Sequence, residues 1–181
     1  AAHDRWTFGP PLTEPVLKST FVPWPGDRLL LVGGTNSPTW TSAPANLLVV
    51  EPDGRSAPFV SPPPEPRFFG AQAVVLPGGD LLIAEGSRHD GSRERMATDT
   101  EIFEVAAERW IAFPGSPDTA AFPSVASLGG ARFLFVFGAL PSTPWHGATT
   151  NARVLDLSTR SWQSVAEPRP LRSAPLIALP Q

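Results

Sequence analysis

The chain has 181 residues, room for one ordinary domain, and is 41% apolar and 17% charged. Its 14 Lys and Arg against 17 Asp and Glu leave a charge of −3, which argues against nucleic-acid or membrane partners, and its lack of Cys excludes thiol nucleophiles, thiolate zinc and disulfides. No apolar run approaches the ~18 residues of a membrane helix, and residues 1–15 lack the basic start and apolar stretch of a signal peptide.

Read in order, the chain repeats itself every 52 residues. In the first unit a short apolar stretch at 20–22 runs into the turn Pro25-Gly26-Asp27, and an apolar run at 29–32 ends on Gly34. A loop at 35–45 carries Trp40, Asn46 opens a third strand at 47–51, and a turn at 52–55 leads to a fourth strand in which Phe59 stands in for a Trp. The second unit follows with 71–76, the turn 77–80, the run 81–84 ending on Gly86, the loop 87–98, a strand at 100–105 and a fourth strand headed by Trp110. The third has 125–128, the turn 129–131, the run 133–136 ending on Gly138, the loop 139–150 with Trp145 and His146, a strand at 152–157 and Trp162. Gly34, Gly86 and Gly138 therefore share one column, and Trp6, Trp110 and Trp162 another.

The second-strand runs are apolar throughout, as in a strand covered on both faces. Prolines gather at the unit junctions (Pro10, Pro11, Pro62, Pro64, Pro168, Pro170), as they must if they cannot donate to a central ladder. No stretch of ten or more residues carries a capped 3.6-residue apolar period, so an all-β fold is predicted.

The motifs LLLVGG (29–34), LLIAEG (81–86) and FLFVFG (133–138), with EIFEVAAERW and RVLDLSTRSW downstream, resemble the kelch repeat, whose four-stranded antiparallel units are the blades of a β-propeller. The resemblance implies a Gly pair at the end of strand two, where only Gly allows close backbone approach, and a Trp on the outer strand that fills the gap between blades. The pair is complete only at Gly33 and Gly34; Glu85 and Phe137 replace its first member later, and the family's third-strand Tyr is absent. It also implies a division into an outer strand of a preceding blade (1–14), blades at 15–66, 67–118 and 119–170, and an inner strand of a following blade (171–181). About three and a half blades cannot close as a standard propeller. Either this is a fragment of a longer chain, as the absence of an initiating Met suggests, or copies join as a homodimer through their open ends. Two copies leave strands one and four over without the middle pair, so the fragment is the simpler expectation.

The family binds partners through the loops between strands two and three, which points to Arg88, His89, Asp90, Arg93 and Arg95 as an anion-suited rim, and to Trp40, Trp145 and His146 as stacking or burying groups. The alternative for the charged loop is a solvated stretch of internal ion pairs. His3, His89 and His146 lack zinc spacing, no nucleophile elbow occurs, and the Tyr and Cys of the copper site of galactose oxidase, another kelch-blade protein, are missing. No catalytic residue, metal or cofactor is expected. The reading is a non-catalytic scaffold for a protein or glycan; the alternatives are a sugar-modifying kelch enzyme, epimerase-like or a copperless galactose-oxidase relative, and an edge-to-edge self-assembling unit. Thirteen of the 14 cations are Arg, a bias of GC-rich bacterial coding, and family habit leans to an extracytoplasmic or secreted protein.

Overall fold

The computed structural model describes residues 8–13, 16–36, 47–67, 70–89, 94–118, 120–136, 138–139 and 149–171. Three four-stranded antiparallel sheets succeed one another along these residues. Sheet one holds β1 (Thr20–Trp24), β2 (Arg28–Val32), β3 (Leu48–Val50) and β4 (Ser56–Pro58). Next come β5 (Gln72–Val75) and β6 (Leu81–Ala84), then a separate two-stranded ribbon of β7 (Ser87–His89) and β8 (Glu94–Met96). With β9 (Thr100–Glu104) and β10 (Arg109–Phe113), β5 and β6 complete sheet two. Sheet three holds β11 (Ser124–Gly129), β12 (Arg132–Val136), β13 (Thr149–Asp156) and β14 (Ser161–Leu171). In each sheet the spatial order of the strands is their chain order. The architecture is all-β and propeller-like.

The sheets stack face to face, and the apolar runs explain why. Every side chain of β6 is buried. Leu81 and Ile83, with Phe103, pack against Val22, Trp24, Leu30 and Val32 of sheet one. Leu82 and Ala84, with Ile102 and Phe113, pack against Phe133, Phe135 and Leu155 of sheet three. Each such side chain contributes about 1.5–3 kcal/mol by leaving water, so a continuous apolar run is what a doubly covered strand requires. Trp110 lies on Phe103 at 5.1 Å and donates from Nε1 to the Ser61 carbonyl; Trp162 lies on Phe135 at 5.0 Å and donates to the Pro114 carbonyl. Each Trp thus ties its own sheet to the chain leaving the preceding one.

The register corrects two details of the sequence reading. Leu81, Phe103 and Trp110 stand in line across sheet two, and Leu29, Val50 and Ser56 across sheet one. Ser56, not Phe59, therefore occupies the Trp position, and Phe59 instead matches Phe113 at the far end of the fourth strand. Unit one is one residue shorter before its third strand and one shorter again before its fourth, which shifts the alignment. Residues 87–98, read as a loop, contain the β7–β8 hairpin, with Ser87 opposite Met96, Arg88 opposite Arg95 and His89 opposite Glu94. Backbone pairing needs no apolar alternation, so the sequence carried no signal for it.

Proline placement also differs from expectation. Pro168 and Pro170 lie inside β14 rather than at a junction. They are tolerated because β14 is an edge strand of sheet three, as are β1 and β4, which contain Pro23 and Pro58 in sheet one. Residues 8–13 form no strand; they run beside sheet one, where the Thr13 amide donates to Ser56 Oγ at 2.8 Å. Residues 1–7 and 172–181, including Trp6, lie outside the described residues.

Candidate functional site

The turns that join first to second and third to fourth strands emerge at one end of every sheet. The two-to-three connections and the links from sheet to sheet emerge at the other, and functional candidates concentrate there. The recurrent Gly shapes this end. Gly86 sits at φ +84°, and a Cβ on it would stand 2.5 Å from the Ala71 amide nitrogen in the link from sheet one. Gly34 and Gly138 are crowded in the same way, by Leu17 and Ser19 and by Ala120 and Ala121. The close approach expected of this column is present at all three positions.

Two buried ionic clamps lie beneath this end. Arg67, in the link between sheets one and two, donates to the Glu85 and Asp99 carbonyls at 3.0 and 3.1 Å, and to the Asp99 and Glu101 carboxylates at 2.9 and 3.3 Å. It passes over Gly33, whose missing side chain leaves the room; a Cβ there would meet the Arg67 carbonyl oxygen at 3.3 Å. One sheet further on the arrangement changes. Glu85 takes the place of that Gly at φ +59°, a conformation that costs a side chain about 1–2 kcal/mol. Its carboxylate accepts Arg153 Nε at 2.8 Å, Arg153 Nη2 at 3.1 Å and Ser116 Oγ at 3.1 Å. Glu85 and Arg153 are both fully buried.

Burial is the dominant influence on these groups. It pushes the Glu85 carboxyl up to about 7 even though Arg153 and Ser116 pull the other way. It raises Glu101 against the pull of Arg67, and lowers Arg67 against its carboxylates. A buried pair of this kind is a weak source of stability as a whole, but losing one partner is costly, because the other is left charged and dry.

The hairpin stands above the first clamp. Arg88 pairs with the Asp99 carboxylate and lies 3.7 Å from Glu65. It is therefore held by internal ion pairs, the alternative weighed for this stretch from sequence. Arg95, opposite it, is exposed. Glu65, Arg88, Arg95, Met96, Thr98 and Asp99 line a cleft of about 300 Å³, where two cations face two carboxylates. His89 belongs to β7, and its side chain lies outside the described residues, as do Asp90, Arg93, Trp40, Trp145 and His146. Among the described residues no group of three or more His, Asp or Glu gathers as a metal site.

A second cleft, of about 630 Å³, opens where the first strands of the three sheets converge, lined by Val22, Trp24, Ala73, Val75, Val125 and Ser127. Sequence reasoning singled out neither this cleft nor the clamps. The one available signal was Glu85, an acid in a Gly column at the end of an apolar run.

The fold is similar to that of YjhT, with a TM-score of 0.68 and 15% identity, over 84% of this chain and 52% of that one. The chain spans about half the length of that structure. No protein-family model and no curated protein matches the sequence.

Proposed function

We propose that the chain is a run of kelch-type propeller blades, about three and a half by its repeat, acting as a non-catalytic scaffold that recognises a protein or glycan through its two-to-three loops. The observation that supports this is the β7–β8 hairpin. It is a ribbon pinned by Arg88 to Asp99 and Glu65, beside a cleft at the end of the sheets where the connections converge. A surface whose shape is set before the partner arrives loses less freedom on binding. Arg67, Glu85, Arg88, Asp99, Glu101 and Arg153 are all engaged with oppositely charged partners. Their partners hold them in fixed geometry. Kelch character is supported by the crowded Gly column and by the two Trp that bridge neighbouring sheets.

A panel of immobilised neutral and acidic oligosaccharides, with an array of extended peptides, tests the reading by interferometry. The expected result is a ligand whose affinity falls about tenfold or more in Arg95→Ala, with the fold unchanged. Conversion of any sugar to product would overturn the proposal, as would binding indifferent to Arg95→Ala, Trp40→Ala and Trp145→Ala alike.

A further inference from the structure

An arginine fills the outer joint between sheets two and three, and the same position between sheets one and two carries an acid instead. Arg160 stands in the turn before β14, at φ +52°. Its guanidinium lies over the Phe113 ring at 4.6 Å and donates from Nη2 to the Ala112 carbonyl at 3.2 Å. A cation of sheet three thus caps the outer strand of sheet two.

Glu108 is the counterpart of Arg160. It precedes the strand that carries Trp110, at φ +49°, as Arg160 precedes the strand that carries Trp162. On sheet one, Pro58 and Phe59 stand where Ala112 and Phe113 stand on sheet two. The Phe59 amide donates to the Leu47 carbonyl, so Pro58 and Leu48 form the next, non-hydrogen-bonded pair, and the Pro58 carbonyl points away from β3. The ring and the outward carbonyl are therefore both repeated, but a carboxylate can neither donate to the one nor lie as a cation on the other.

A groove of about 320 Å³ occupies this joint, lined among others by Trp24, Glu51, Phe59, Phe103, Val105 and Glu108. Phe59 meets Trp24 and Phe103 edge-on at 5.7 and 5.0 Å, which makes one wall aromatic. Arg28 also borders the groove, but its Nε is engaged by the Pro25 carbonyl at 2.6 Å. Two carboxylates against one arginine leave the lining acidic. The groove lies between two consecutive sheets of the chain, not at an end of the stack.

We infer that this groove receives an arginine side chain from a peptide segment of a partner protein. The guanidinium lies against the aromatic wall and donates to the Pro58 carbonyl, as Arg160 does one joint further on, and Glu51 and Glu108 supply its counter-charge. Arginine is specified over lysine, because a planar guanidinium stacks and donates in its plane at once, whereas an ammonium is a point charge. Val60 and Val105, on the rim, are 82% and 39% exposed. They offer a surface to apolar neighbours of that arginine, which favours a peptide over the free amino acid. Glu51 and Glu108 flank turns at the end opposite the hairpin, so the inference does not rest on what the loop end binds.

The test is an NMR titration with a short peptide that carries one arginine between two valines. The expected result is a saturating shift of amides in β3, β4 and residues 105–108. Affinity should fall about tenfold or more when lysine replaces the arginine, or when free arginine replaces the peptide. Glu108→Arg should abolish the shifts and raise the melting temperature, since the new side chain fills the groove from within. Glu108 is exposed and Arg160 holds its counterpart at nearly the same φ, so this variant folds. Absence of shifts at these amides up to about 10 mM peptide would overturn the inference. So would equal binding of the lysine peptide or of free arginine, or undiminished binding by Glu108→Arg. Arg95→Ala should leave the titration unchanged, and its loss there would place the peptide at the loop end and overturn the inference. A panel ligand held in this groove is recognised by its loss in Glu108→Arg, so either proposal can fail without the other.

Discussion

Replacing Glu85 by Gln should flatten the pH dependence of stability. Below pH 4.5 the carboxyl holds its proton in folded and unfolded chains alike, and the contribution of its raised affinity for the proton is fully present. As pH rises past 4.5 the unfolded chain ionises first, while the buried Glu85 keeps its proton until about pH 7. Stability is therefore lost across this window and levels off above it. At about 1.4 kcal/mol per pH unit, the loss from Glu85 alone is about 3 kcal/mol between pH 4 and pH 8. Gln keeps the shape of the acid and its amide oxygen can still accept from Ser116 Oγ and Arg153 Nε, but its amide nitrogen is a donor and gives up the bond from Arg153 Nη2, and the group cannot ionise. Urea unfolding of both proteins at several pH values gives two curves, and their difference isolates Glu85 from Glu101 and from the exposed acids. The variant should gain on the wild type by about 3 kcal/mol from pH 4 to pH 8. Parallel curves would refute the reasoning and mean that Arg153 fully offsets the burial of Glu85.

Arg153→Met should destabilise the chain by ~3–5 kcal/mol near neutral pH in urea unfolding, with a larger loss at pH 8 than at pH 5, since Glu85 is left dry without its cation. Arg67→Met removes the group that faces both Asp99 and Glu101, and a loss of similar size, ~3–5 kcal/mol, is expected by the same assay. Gly86→Ala should cost more than 1 kcal/mol, because its Cβ strikes backbone at Ala71 in addition to the strain of a positive φ. Gly79→Ala, equally at positive φ but with nothing within 4 Å, should cost clearly less, both variants being read by urea unfolding.

Much of the fold was legible because a sheet stack repeats the same physical demands. Leu29, Leu81 and Phe133 recur because each opens the apolar run of a second strand, and Gly34, Gly86 and Gly138 recur because a sheet-to-sheet link presses on each. The Phe59 assignment failed for a local reason: unit one lacks one residue before β3 and another before β4, which moves the register without disturbing the apolar pattern. The hairpin was hidden because Ser, Arg and His at 87–89 carry no strand signature, and their pairing is made by backbone alone. The clamps were hidden by distance. Glu85 and Arg153 are 68 residues apart and on different sheets, and only their packing brings them together. Arg88 was visible as a cation but not as one already paired, since Asp99 reaches it across the far end of the hairpin.

Affinity for the strongest ligand of the oligosaccharide and peptide panel, measured side by side for three proteins, tests the binding account most directly. These are the unaltered chain, Arg95→Ala on the two-to-three loop end and Arg55→Ala in the exposed turn between β3 and β4 at the opposite end. The account predicts that Arg95→Ala weakens binding while Arg55→Ala leaves it unchanged. The reverse pattern would place recognition at the wrong end of the sheets and contradict it.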